Sequence, residues 1–510
     1  MSSQSIRLQQ IIARGFASVA AGMGSLLVTA ALVWGADPVG PAAEGFKTIP
    51  PNKTLSTDTK KRLEIEGLVR RIINGAPLTG NETIFDGYYA SYLFPQWTQT
   101  TEEDLKALPK ERDKFIKNSM ELAGAKNPTA HSRLLDLSHT KLAEVAQDPA
   151  FHPAVRYNAI LTVGLLNEAE PNRGTGIKQM PEPYIKALVT LLEELKKPGN
   201  NEAVRVGALL GVTRHLEWDN SKPVGSGKRI PPAMRNDAIA ELTSIVNAKV
   251  PPAGRSMEGQ TWLRRRALEA LGQAYALKVE PDFAKLLSSI IGDDAEPISL
   301  RCTAADVMAH VEYPAAALPP ISPMAKELGY LALFACNSEL LRLEDLKKYD
   351  ERLLRISGGG GGGGGGLPGG MPGGMSGPGG GGKLGGMSGP GGGMPGIVGG
   401  AMPGESGGAL GGMMPGKSGG MPGGGASEKG SKNVSSDPKQ YRIDYSKRRL
   451  RVELYAVQLA LGRKKDPTAK GLLAYTKAQA DTDMLDTITK HVEDIIRVVE
   501  EQDQSADDYD

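Results

Sequence analysis

Val155-Arg156-Tyr157-Asn158-Ala159 decides the reading of this chain, because its outline recurs three times. Val204-Arg205-Val206-Gly207-Ala208, Leu263-Arg264-Arg265-Arg266-Ala267 and Leu300-Arg301-Cys302-Thr303-Ala304 follow in one register. Five residues beyond each alanine stand Gly164, Thr213, Gly272 and Ala309. The aliphatic residue and the alanine are four apart, so they share one face of a helix. Small residues on such a face let a neighbouring helix come close. The arginine can lay its stem along apolar surface while its head reaches solvent or a carboxylate. A second apolar helix is expected after each segment, over 184–195, 233–246, 283–291 and a longer stretch from Pro323, with Ser322 as N-cap and Pro323 at the first helical position. One such helix pair cannot bury its apolar face alone, so pairs must stack.

These segments resemble the first helix of the HEAT-repeat family. The resemblance implies an all-α fold, an α-solenoid of stacked helix pairs of HEAT or armadillo type, over residues 101–357. In that family an acidic residue often lies shortly before the Val-Arg pair. Asp148 and Asp293 or Asp294 stand there in the first and fourth units, Asn200 and Asn201 in the second, and nothing equivalent in the third. Successive arginines are 49, 59 and 37 residues apart, against ~40–47 for HEAT and armadillo repeats. Inserts rich in proline and glycine, such as 222–232, account for the uneven spacing.

The flanks read differently. Residues 1–36 have the parts of a secretory signal: Arg7 and Arg14, an uncharged stretch from Phe16 to Trp34, and small residues up to Ala36. The apolar stretch is also close to the ~20 residues that a spanning helix needs, so an uncleaved anchor is the rival reading. Either one exports the chain to the periplasm or beyond, with membrane contact only through this segment. Residues 37–100 read as a proline-spotted extended lead-in followed by capping helices. A helix is expected over 61–74, and Phe85, Tyr88, Tyr89 and Tyr92 then recur at the spacing of one helix face, which Pro95 ends. Thr101 with Asp104 marks the start of the next helix, which Pro109 should divide or bend. Residues 358–435 read as a disordered Gly/Met/Pro linker, because such composition cannot bury enough apolar surface to offset its ordering entropy. Residues 436–510 return to helical patterning, with apolar stripes Leu450, Leu454, Val457, Leu461 and Met484, Ile488, Val492, Ile495, Val499. Two helices make a thin core, so this part should dock on the solenoid or bind a partner.

The 60 basic residues against 58 acidic ones leave a net charge of +2, which gives no general attraction to nucleic acid. Two cysteines, Cys302 and Cys336, exclude a disulfide scaffold. The run from Gly411 to Ser418 fits the phosphate-loop pattern in letters only, since no strand precedes it and no helix follows. Eight of the 17 methionines fall in the linker; thioethers can hold Cu(I), but no histidine or cysteine stands with them there. His131, His139, His152, His215, His310 and His491 show no paired metal spacing. Neither a catalytic motif nor a cofactor signature is present, so no catalytic, metal or cofactor residue is assigned. Candidate partner contacts are the aromatic Tyr88, Tyr92 and Trp97, with packing as a cap the competing role, and the basic Arg448, Arg449 and Arg451, with a solvated helix face as theirs. The expected function is an exported, non-catalytic scaffold that binds a protein or peptide partner; handling copper through the linker methionines, or serving as a non-catalytic subunit of an exported enzyme complex, are the alternatives. Limited proteolysis of the whole chain should cut first within 358–425, giving two large fragments on a denaturing gel; initial cleavage inside 101–357 would contradict the division proposed from sequence.

Overall fold

The computed structural model describes residues 45–171, 181–222, 229–276, 279–358, 438–462 and 471–501. The signal-like segment, the linker with its methionines and the phosphate-loop-like run lie outside the described residues. The described chain is helical almost throughout. Its strands are one short antiparallel pair, Asn167–Ala169 with Glu182–Pro183.

Several helices start where the sequence supplies a cap. In the described part of the lead-in, residues 45–52 precede a turn of helix, Lys53–Thr57, which comes before α1 (Thr59–Ile73), whose first turn is capped by the Asp58 carboxylate. α2 (Glu82–Tyr88) continues through a π-turn, Tyr89–Leu93, and ends just after Pro95. Thr101 accepts from the Asp104 N–H at the start of α3 (Glu102–Phe115). Pro109 does not divide α3, which runs through it. Leu108 and Phe115 on either side are buried, and their burial outweighs the one hydrogen bond that proline removes. α4 (Glu121–Lys126) leads to α5 (Pro128–Gln147), which has Asn127 as its cap and proline at its first position.

Then come α6 (Pro153–Leu165), α7 (Ile185–Lys196), α8 (Glu202–Ser221), α9 (Pro232–Asn247), α10 (Met257–Tyr275), α11 (Pro281–Gly292), α12 (Ile298–His310) and α13 (Ile321–Gly358). All four expected second helices are present. α13 begins before Ser322, so Ser322 is not its cap; its hydroxyl lies in the first turn and donates to the Asp481 carboxylate.

The phase of the pairing differs from the expectation. The arginine-bearing helices α6, α8, α10 and α12 do not open the hairpins but close them, packing on α5, α7, α9 and α11 respectively. The connections explain why. Five residues join α5 to α6, α7 to α8 and α11 to α12, and a link that short holds two helices antiparallel and adjacent. The arginine helices also pack side by side in chain order, α6 on α8, α8 on α10 and α10 on α12. Close approach sets the size of the residues between them. A Cβ on Gly164 would stand 3.0 Å from the Gly211 Cα, and one on Gly272 would stand 2.9 Å from a Val307 methyl. In the second unit Gly211 makes this contact, and the Thr213 picked out by register is only half-buried.

The described residues fall into two compact units. The larger takes in the chain up to Ala335 together with Arg451–Val499, so the end of α14 (Pro438–Leu461) and most of α15 (Gln479–Glu501) belong to it. Leu454, Val457, Leu461, Leu485 and Val492 are buried there, Gln458 donates to Glu493 at 3.0 Å, and the Tyr313 N–H donates to the Tyr475 hydroxyl at 3.1 Å. On α15 Leu485, Val492 and Ile496 are buried; of the stripe read in sequence Val492 is buried and Met484, Ile488, Ile495 and Val499 are half-buried. The smaller unit holds the rest of α13, from Cys336, and the start of α14, up to Leu450. In it Arg442 pairs with Asp350, Arg342 with the Ser446 hydroxyl, and Arg449 with Glu339 at 3.8 Å. Numbers rise on one helix as they fall on the other, so the two run antiparallel.

A methyl at Gly211 would meet both Leu191 methyls at 2.7 Å. Gly211→Ala should therefore lower stability by ~1–3 kcal/mol. Gly259→Ala, whose Cβ meets nothing closer than 3.5 Å on α10, should be neutral or stabilising by up to ~1 kcal/mol. Urea unfolding of both variants checks the contrast.

Candidate functional site

The recurring arginine has one task in all four places. The Nε of Arg156 donates to the carbonyl of Ala146 at 2.9 Å, Arg205 to Leu195 at 3.3 Å, Arg264 to Val246 at 2.7 Å, and Arg301 to Ile291 at 2.8 Å. Each acceptor is the penultimate residue of the helix that opens the hairpin. Carbonyls in the last turn of a helix have no partner within it, and the dipole makes that end negative. The arginine supplies a donor and a positive charge together. Val155, Val204, Leu263 and Leu300 are buried beside these braces, as are Ala159, Ala208, Ala267 and Ala304.

Three of the four guanidinium heads are shut away from solvent. Arg156, Arg264 and Arg301 are buried, and Arg205 is half-buried. A buried charge needs compensation, and nearby acids and amides provide it. Arg264 forms a two-pronged pair with Glu296 at 2.7 and 2.8 Å, and Lys249 joins it at 2.9 Å. Arg301 holds Asp294 at 2.8 Å, as the sequence suggested. Arg156 instead uses the Asn200 side chain at 2.8 Å and Glu194 at 3.6 Å. The expected Asp148 turns away to Lys47 at 2.7 Å and to the Ala150 N–H at 2.9 Å, and those two bonds hold its carboxyl below the usual range. Asp293 likewise pairs with Lys249. Asn200 ties Arg156 to Glu194, and Asn201 caps α8. Glu296, the acid found for the third unit, lies in the α11–α12 connection. The expected place for an acid, shortly before Arg264, could not reveal it.

A cleft of about 440 Å³ opens where α8, α9 and α10 meet. Asp219 lies at its base, accepting from the Ile230 N–H at 2.9 Å with Arg229 at 3.7 Å and Arg235 at 3.9 Å. Asn220, Asn236 and Gln273 complete a polar lining over Ile230 and the two prolines. These residues come from three helices and the α8–α9 connection and fit no motif, so no local pattern marks them.

The aromatic candidates are core. Tyr92 and Trp97 are buried, and Tyr88 is half-buried against Tyr89 and Tyr92. Burial pushes the Tyr88 hydroxyl well above its ordinary range. Trp97 packs edge to face with Phe94 and Phe115, and Tyr92 and Trp97, both buried, present no face to a partner. Arg448 and Arg451 are exposed on α14, and Arg449 is half-buried beside Glu339. His215 is fully buried, between the carbonyls of Gly211 and Tyr184. His131 meets Glu170 at 3.3 Å, and His152 caps α6. Cys302 is buried and Cys336 half-buried, each in its own unit. Among the described residues no group of three or more His, Cys, Asp or Glu is arranged to hold a metal ion, and no helix is long and apolar enough to cross a membrane. Compared with known proteins, the chain matches no family model, no curated protein and no solved structure.

Burial pushes the Glu296 carboxyl up, but its bonds to Arg264 and Lys249 outweigh that and hold it below the ordinary value. A depressed folded value gives stability that is full above the unfolded pKa, ~4.3 for glutamate, and is lost as pH falls through the folded value. Glu296→Gln should remove this component, flattening the fall in melting temperature below about pH 4.3. Arg264→Met, which leaves Glu296 buried with Lys249 alone, should cost ~3–5 kcal/mol at neutral pH, read by denaturant unfolding.

Proposed function

We propose that this chain is an exported, non-catalytic scaffold, an α-solenoid of HEAT type that binds a protein or peptide. The observation that carries the solenoid reading is the arginine brace, repeated four times in one register on the penultimate carbonyl of the preceding helix. A device that recurs at each hairpin is the signature of repeated units that stack on their neighbours. The signal-like segment at residues 1–36 supports export. The cleft at Asp219 supports binding, because it pairs an apolar wall with side-chain amides able to hydrogen-bond a peptide backbone.

Two measurements test this. In a solenoid each unit senses only its neighbours, so Arg156→Met and Arg301→Met should add within ~0.5 kcal/mol in the double variant, while Arg264→Met and Glu296→Gln couple by ~0.5–3 kcal/mol. Strong coupling between the distant pair would remove the solenoid reading. For binding, the whole chain and Asn236→Arg, which crowds the cleft from an exposed position, are used to recover partners from the exported fraction by cross-linking. A partner held by the parent and lost by the variant is expected. A partner retained equally by both would move the binding site elsewhere, and no reproducible partner would count against the scaffold.

A further inference from the structure

The smaller unit has more apolar surface than its two helices can cover. Leu343, Leu346, Ile443 and Leu450 are half-buried, whereas Leu341, Tyr349 and Tyr445 are 52%, 57% and 46% exposed. Leu341, Asp345 and Tyr349 are four apart on α13, so they form one ridge of the helix surface. Arg342 joins that ridge to α14, with its guanidinium 5.4 Å from the centre of the Tyr445 ring. Arg342 and Tyr349 are seven residues apart and so share a side of α13. Tyr349 and Tyr445 therefore flank the same edge of the hairpin, with Asp345 exposed on one helix of that edge. Arg448, three residues beyond Tyr445, is exposed on the other helix.

We infer that this edge is a self-association surface, on which a second copy of the chain lays the same edge. Charge distribution selects this occupant. The ridge on α13 carries an acid and the α14 side carries a base, so a two-fold arrangement sets Asp345 of each copy opposite Arg448 of the other and closes the tyrosines and Leu341 between them. An isologous interface of this kind uses one patch twice, and it turns two thin helical hairpins into a four-helix layer with a buried seam. A partner of uniform charge would meet one favourable and one unfavourable helix. Both charges face solvent: among the described residues Asp345 pairs with the exposed Lys348 at 3.6 Å, and the Arg448 Nε donates to the Asp444 carbonyl of its own helix at 3.3 Å. The inference concerns the smaller unit and is independent of the cleft.

Sedimentation of the whole chain over a concentration series tests it, with Asp345→Arg, Arg448→Asp and the double exchange, all checked for helix content by circular dichroism. The parent should dimerise at about 10 μM, each single exchange should weaken the dimer about tenfold or more, and the double exchange should restore it to within about threefold. A parent that stays monomeric to about 100 μM, as it would if residues 359–437 or a different protein covered the edge, overturns the inference. So does a dimer that the single exchanges leave unchanged, or one that the double exchange fails to restore. If a single variant fails to fold, the parent's concentration series and Tyr349→Glu, which should dissociate the dimer, still decide.

Discussion

One hydrogen bond recurs through the middle of this protein: an arginine Nε–H on the second helix of a hairpin, given to the penultimate carbonyl of the first. It ties the end of one helix to the next across a turn, beside bonds such as that from Asn200 to the Glu194 carbonyl. A helix C-terminus buried without partners is costly. Here the unsatisfied carbonyl and the negative end of the dipole are met by one group. Lysine would not replace it, because Arg264 uses Nε for the carbonyl and both remaining nitrogens for Glu296, a planar division of labour that a single ammonium cannot make.

The brace dictates what surrounds it. A buried guanidinium has to be matched by acids or amides close at hand, and the connections between helices are where short polar residues can reach it. That is why Asn200, Asp294 and Glu296 all lie in those connections. With the helix ends fixed, the arginine helices can lie directly against one another, and Gly164 meets Gly211 backbone to backbone. The two features depend on each other: only tightly registered helices tolerate a glycine contact, and only closely packed ones bury the arginine.

Much of the helical framework was legible in sequence because periodicity is a local property. The aliphatic, arginine and alanine positions mark α6, α8, α10 and α12, and Thr101 marks the start of α3. Three things were not legible. The phase of the hairpins depends on which neighbour a helix touches, and that is set by connection length: the five-residue links were readable, but their consequence was not drawn from a repeated motif alone. Partner choice among charges is three-dimensional, so Asp148, well placed in sequence, pairs with Lys47 instead. The cleft at Asp219 draws on three helices and leaves no trace in any one of them. Pro109 does not divide α3, since its local cost is outweighed by burial on both sides that only the fold supplies.

The same reasoning separates what the repeats hold fixed from what they leave open. Arginine, aliphatic residue, alanine and glycine are committed to the interior, where a change of one methyl or one charge is felt. The exposed residues at the mouth of the cleft and at the edge of the smaller unit carry no such duty. Asn236 is exposed, and Leu341, Tyr349 and Arg448 are exposed on helices whose packing is made by other faces. The structural constraints of this helical fold lie at the junctions between helices and leave such outer positions free, so the self-association proposed for the smaller unit would act without disturbing those junctions.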